Sequence, residues 1–261
     1  MHSKNCYTNT NKIVKRAVLT ILLVLIQQNS VAQNNEKQLQ DQRITAIYEK
    51  FSESRHSEAR DTILNRFKML LLKSLANKLY AAFPFDSLAN KITIISSKDK
   101  KLRIFSWNEF SGGTWHAYNS AYQLNLENSS YSGFLTSESD SIGTLLFDDI
   151  IHYKIQKIEK NQYLVKGYGT HGHGFDFYTF RLFSFKNGIV TDCDKCFDGK
   201  DRLVFNKPRA FDISSVYNLE TQEISYPEMK TSYFEGEDSG FTEPSGKILK
   251  LKYKNGVFIK L

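Results

Sequence analysis

Proline and cysteine are both scarce in this sequence, with 4 and 3 among 261 residues. So few prolines exclude a collagen-like chain. Long hydrophobic runs are missing too. The longest, Ala17 to Ile26, falls well short of the roughly 20 residues a membrane helix needs, which excludes a polytopic membrane protein. Charge of one sign does not dominate either: 35 bases stand against 28 acids, a formal +7. What is present is ordinary for a folded chain, at 41% apolar and 24% charged, and this excludes a disordered tail. Aromatic residues are plentiful, with 14 Tyr and 19 Phe. Flat rings pack well on a pleated surface, so the composition leans toward sheet.

The clearest functional signal is N-terminal. Lys12, Lys15 and Arg16 precede the apolar run, and a polar stretch ends in Ser30-Val31-Ala32 before Gln33. A basic segment, a short apolar segment and a small-x-small site together read as a secretory signal peptide covering 1–32. An uncleaved anchor is the competing reading. Cys6 lies before the run rather than after it, so lipid anchoring is not expected. The expected location is periplasmic or secreted, with no stable transmembrane span after signal removal. Residues 1–32 hold four bases and no acid; taking them from 35 leaves 31 against 28, or +3. The basicity is largely targeting chemistry, and nucleic acid is not an expected partner.

In the remainder, 33–90 reads as a helical segment and 91–261 as an antiparallel β domain. Leu39, Ile47, Tyr48 and Phe51, then Ile63, Phe67, Leu70, Leu71, Leu75 and Leu79, recur at helical spacing. Residues 52–57 form a polar break. Pro84 is expected to stop the second helix, with a short helical turn near 86–90. Strands are expected at 92–95, 102–107, 117–126, 150–158, 163–168 and 175–185. Asn187-Gly188 and Asn255-Gly256, each between apolar runs, are signals for tight type I′ hairpins. Leu249, Leu251 and Tyr253 alternate with Lys250, Lys252 and Lys254, a half-buried strand with one wet face. The acidic stretch 226–244 reads as a long surface loop, and Lys98 to Lys101 as a solvated turn. The fold class is α+β: a helical pair followed by a large antiparallel meander, as an extended sheet or sandwich, with a small propeller-like arrangement as the alternative.

Several motifs carry possible chemistry. Cys193 and Cys196 form a C-x-x-C pair, readable as a redox centre, half a zinc site, a local disulfide or two idle thiols. The pair follows a strand and precedes a turn, not a helix, which disfavours redox catalysis. His171 and His173 would share one face of a strand and suit a metal pair; an exposed glycine-rich loop explains them equally. No known ligand spacing joins them to the cysteines, so no cofactor is expected. The run from Asp194 to Gly199 imitates a calcium loop but has Cys196 and Phe205 where oxygen ligands belong. Glu237 to Gly240 has the look of a serine-nucleophile segment without a base or orienting partner.

The segment from Lys101 to Tyr118 is the most distinctive. Trp107, Trp115 and His116 flank Gly112-Gly113, so a hairpin there would place both indoles on neighbouring strands. Trp107 is expected in the core and Trp115 partly exposed; with His116 and Tyr118 they are the candidate ligand-binding residues. Arg103-Ile104-Phe105-Ser106-Trp107, Gly112-Gly113-Thr114 and the terminal Asn255-Gly256 turn resemble a group of uncharacterised exported bacterial proteins. That resemblance implies a helical N-terminal part and a closing hairpin, and implies no activity. Two functions follow as expectations. The first is a non-catalytic binding or structural module of the periplasm or envelope, serving an envelope partner or small ligand. The second is an exported hydrolase with a shallow polar cleft built from Glu109, His116, His171, His173 and nearby acids.

Overall fold

A computed structural model describes residues 4–54, 57–111, 113, 116–135, 149–170, 175–209, 211–234 and 237–261; of 4–30 only three side chains are described, and those of 233–241 are not. Two main helices, α1 (Lys4–Glu53) and α2 (Arg60–Ala76), are separated by the expected polar break. α1 is continuous through the segment read as an export signal. α2 ends well before Pro84: a 3-10 turn at Lys78–Tyr80 follows, and then α3 (Asp86–Ala89). The stop comes at Asn77, whose extended backbone ends the helix and whose side chain accepts the Leu79 N–H. Phe85 precedes α3 in the left-handed region, and Asp41 of α1 supplies the missing cap. Its two carboxylate oxygens accept the N–H groups of Ser87 (2.8 Å) and Leu88 (3.1 Å).

Thirteen strands follow among the described residues, in three antiparallel sheets. The first comprises β1 (Thr93–Ser96), β2 (Leu102–Asn108), β3 (Tyr118–Asn125) and β4 (Ser130–Phe134), in chain order. The second comprises β5 (Ile151–Glu159), β6 (Gln162–Thr170), β7 (Phe175–Lys186), β8 (Ile189–Asp192) and β9 (Arg202–Pro208). In it, β8 and β9 pair with successive stretches of β7. The third comprises β10 (Val216–Asn218), β11 (Glu223–Phe234), β12 (Glu237–Lys254) and β13 (Val257–Lys260). Both Asn-Gly pairs take the positive φ angles that a type I′ turn needs. The acidic stretch is not a loop: β11 and β12 pair across it, from Glu223 opposite Lys252 to Phe234 opposite Glu237. Bulges at 227–229 and 231–233 break the alternation that would have announced a strand.

Strand alternation explains how the sheets stack. In β2, Phe105 and Trp107 join Phe51, Phe67, Leu71 and Phe85 in a core under the helices. Leu102 and Ile104 point the other way, onto Tyr163, Val165 and Phe183 of the second sheet. In that sheet Leu164, Phe180 and Leu182 face the third, meeting Ile224, Leu251 and Phe258. The chain is therefore layered as helices, then three sheets, with one apolar core at each junction. β3 is buried at every position because it is covered on both sides.

The distinctive Arg103 to Trp107 segment is part of this frame. The Arg103 guanidinium donates to the carbonyls of Phe83 (2.8 Å) and Pro84 (3.5 Å) and to Gln123 Oε1 (3.2 Å), over the rings of Phe85 and Phe105. Burial pushes its pKa down to about 10, so it remains charged at neutral pH. It holds the helical layer to the first sheet. Nor is the turn at Lys98 to Lys101 wholly solvated. Asp99 accepts from Lys157 (3.0 Å) and from the Tyr163 hydroxyl (3.0 Å), tying that turn to the second sheet.

Candidate ligand-binding cleft

An open cleft of about 390 Å³ lies where α1, the α3–β1 corner and the ends of β2, β3 and β6 meet; Tyr48, Asn90, Thr93, Asn108, Tyr118 and Tyr168 contribute to its walls. The connection from β2 to β3 shapes it. Phe110 turns with a positive φ, and its N–H donates to Asn108 Oδ1 at 2.6 Å, a local side-chain turn. The Tyr48 hydroxyl donates to the Asn108 carbonyl at 3.1 Å, fixing α1 against the end of β2. Glu109 anchors the turn from inside. Its Oε1 accepts from Lys68 Nζ (2.7 Å) and Asn119 Nδ2 (3.1 Å), its N–H donates to the Ala117 carbonyl (2.8 Å), and Arg60 reaches its carbonyl oxygen.

The walls are mostly neutral and polar; Lys91, which also lines the cleft, is paired with Glu49 at 2.7 Å. Burial raises the pKa of Tyr48, Tyr118 and Tyr168, with neighbouring negative charge adding to it. All three phenols stay protonated at physiological pH and present hydroxyls that donate and accept. Asp149, whose N–H donates to the Tyr118 carbonyl at 3.1 Å, has its carboxyl pushed up to about 6 by burial, with Glu109 adding to the shift.

The candidate residues from sequence divide sharply. Trp107 is 1% exposed and packs edge-on to Phe67 at 5.3 Å, so its ring is core. It lies opposite Asn119 in the register, and β3 begins only at Tyr118; Trp115 lies outside the described residues. Tyr118 is nearly buried at the cleft wall. His116 is half-buried, with its N–H on Thr170 Oγ1 (2.9 Å) and its ring 6.0 Å from that of Tyr118. His171 and His173 lie outside the described residues. Cys193 and Cys196 are joined in a disulfide, so neither sulfur is a thiolate ligand. Among the described residues no three His, Cys, Asp or Glu side chains gather to hold a metal.

Two features are invisible in the sequence. From the cleft a row of rings crosses the molecule. Tyr118 contacts Tyr168 (6.4 Å), Tyr168 contacts Tyr178 (6.3 Å), and Tyr178 stacks on Phe205 (5.6 Å), which stacks on Tyr226 (6.0 Å). These residues come from five strands, and only the pairing register aligns them. Behind the cleft, Ser106, Ser120 and His152 form a polar knot between the first two sheets. Ser106 Oγ lies 2.8 Å from Ser120 Oγ, which lies 3.1 Å from His152 Nδ1. A Ser–His contact has the geometry of an activated nucleophile, yet all three residues are fully buried. The knot satisfies polar groups in the core.

No family model, curated protein or solved structure matches the chain. The functional reading therefore rests on the geometry of the cleft and on the residues themselves. Among the described residues no helix is long and apolar enough to cross a membrane.

Proposed function

We propose that this chain is an exported, non-catalytic binding module of the periplasm or cell envelope that takes a small ligand, or a segment of an envelope partner, in the cleft at Tyr118 and Tyr168. One observation carries the reading: an open cleft walled mainly by neutral phenols and amides runs directly into a row of rings. Such walls offer hydrogen bonds and flat apolar faces, and Lys91, the charged side chain among the described lining residues, is held by Glu49. The sequence features supporting export are the basic segment, the ten-residue apolar run and Ala32 before Gln33.

The hydrolase alternative draws less support. Glu109, the acid it names, is 3% exposed and held by Lys68 and Asn119, which suits an anchor better than a catalytic base. The test is ligand-observed NMR with a panel of short oligosaccharides and peptides, on the wild type and on Tyr168→Ala. Binding by the wild type that Tyr168→Ala abolishes, with the fold retained, is the expected result. Hydrolysis of any panel member would overturn the non-catalytic reading. Absence of binding across the panel, or binding unchanged in Tyr168→Ala, would remove the cleft from it.

A further inference from the structure

Away from the cleft, the second and third sheets enclose a small cavity of about 90 Å³ between β6 and β10. Its walls combine the apolar side chains of Leu164 and Phe180 with Lys154, Lys166, Ser215 and Tyr217, and the exposed Val216 lies at its rim. Alternation along β6 puts Lys166 on the same face as Leu164, inward toward the third sheet. Its stem is covered, and its ammonium lies over the rings of Tyr153, Tyr178 and Phe180 at 5.4–5.8 Å.

The hydrogen bonding at this cavity is incomplete. An ammonium has three protons to donate; Lys166 Nζ gives one to the Ser215 carbonyl at 2.6 Å. Among the described residues no carboxylate pairs with it. Among the described residues, neither the Ser215 nor the Tyr217 hydroxyl oxygen has a hydrogen-bond partner; both are buried, and Ser215 is only 5% exposed. A buried hydroxyl left unpaired costs about 1–3 kcal/mol, and each such group calls for a partner the protein does not itself supply. Two unpaired hydroxyls, one ammonium with donors to spare and a second lysine meet at a cavity with an apolar wall. They share the chemistry of donors awaiting an acceptor that carries negative charge.

We propose that this cavity is a second binding site, for a small carboxylate with a short apolar tail. The carboxylate would accept from Lys166 Nζ and from the hydroxyls of Ser215 and Tyr217, and the tail would lie against Leu164 and Phe180. Charge-assisted hydrogen bonds of this kind are the strong ones. The state of Lys166 without a ligand fits: burial, with Lys154 adding to it, lowers its pKa to about 8, and a bound anion would reverse that shift. The cavity has room for an acid of a few carbons, either free or as the C-terminal residue of a peptide. Its residues are separate from the Tyr118 cleft, so the proposal does not depend on the function assigned there.

The test uses the full chain and isothermal titration with butyrate, its neutral isostere butyramide, and N-acetyl-alanine as a surrogate for a peptide C-terminus. Butyrate is expected to bind and butyramide not to. Lys166→Met should weaken butyrate by about tenfold or more, the loss of one charge-assisted contact, and Ser215→Ala should weaken it less. NMR of the Lys166 side chain should show its pKa rising on butyrate binding; this readout needs no variant to fold. If N-acetyl-alanine binds as well as butyrate, the source is a peptide terminus; if only butyrate binds, it is a free acid. Equal binding of butyrate and butyramide, or no butyrate heat and no movement of the Lys166 pKa, would overturn the proposal and leave ordered water as the occupant.

Discussion

His152 Nδ1 lies 3.1 Å from Ser120 Oγ, and neither residue has any surface open to solvent. Burial holds the imidazole pKa well below its ordinary 6.5, and the Arg181 and Arg202 charges push the same way. The folded state therefore keeps His152 neutral where the unfolded chain takes up a proton. Stability from this group is present above about pH 6.5 and falls as pH drops below it. Urea midpoints measured from pH 8 to pH 5 should decline below about 6.5, and His152→Gln should flatten that decline. A decline unchanged in the variant would locate the proton uptake elsewhere.

Asp149 works in the opposite sense. Its carboxyl titrates near 6 in the folded chain against 3.8 in the unfolded one, so ionisation across that interval costs stability. Asp149→Asn should raise the melting temperature at pH 7 and leave it nearly unchanged at pH 4. Equal gains at the two pH values would mean that charge is not the cause.

Trp107→Ala should destabilise by about 3–5 kcal/mol, because it empties a fully buried indole site against Phe67 and Phe134. Trp107→Phe should cost much less: it keeps an aromatic ring and removes the buried Nε1–H, which has no partner among the described residues. Thermal melts of the two variants separate these outcomes. A near-zero shift for the alanine variant would be incompatible with a core indole.

Lys68→Met should cost about 3–5 kcal/mol, since it strands the buried Glu109 carboxylate. The double variant with Glu109→Gln should recover most of that loss, as the neutral amide can keep the Asn119 contact. Chemical denaturation of both variants provides the cycle. Without recovery, Lys68 would be acting through packing and not through charge.

Reduction of Cys193–Cys196 should lower stability by about 2 kcal/mol, the small effect expected for a loop of so few residues. Dialysis against a chelator should leave the melting temperature unchanged, because both sulfurs are committed to each other. A large drop on chelation would revive the zinc reading.

The parts legible in the sequence are those whose signal is local. The β6 and β7 strands are rich in branched and aromatic residues, and Asn187 and Asn255 each sit before a glycine, so these features are set by sequence neighbours. The Asp41 cap was not legible, because its partners Ser87 and Leu88 lie 46 and 47 residues away. The β11–β12 pairing was hidden by Pro227, by acidic side chains and by two bulges. Of the candidate site, Tyr118 could be named from its place beside the Gly-Gly turn. Tyr168 and Lys166 could not, since alternation says that they share a face but not what that face meets. The same limit held for Trp107: an aromatic residue in a strand is apolar whether it lies under helices or lines a groove.

The order of the layers is also the order of the chain. Helices come first, and each sheet rests on the one before it. A polypeptide emerging from its N-terminal end would find every new layer's template already in place, so assembly could proceed as a succession of short dockings. The second sheet gains most from that sequence. With apolar residues on both faces, it is the layer most exposed to aggregation until the chain from Val216 onward closes over it.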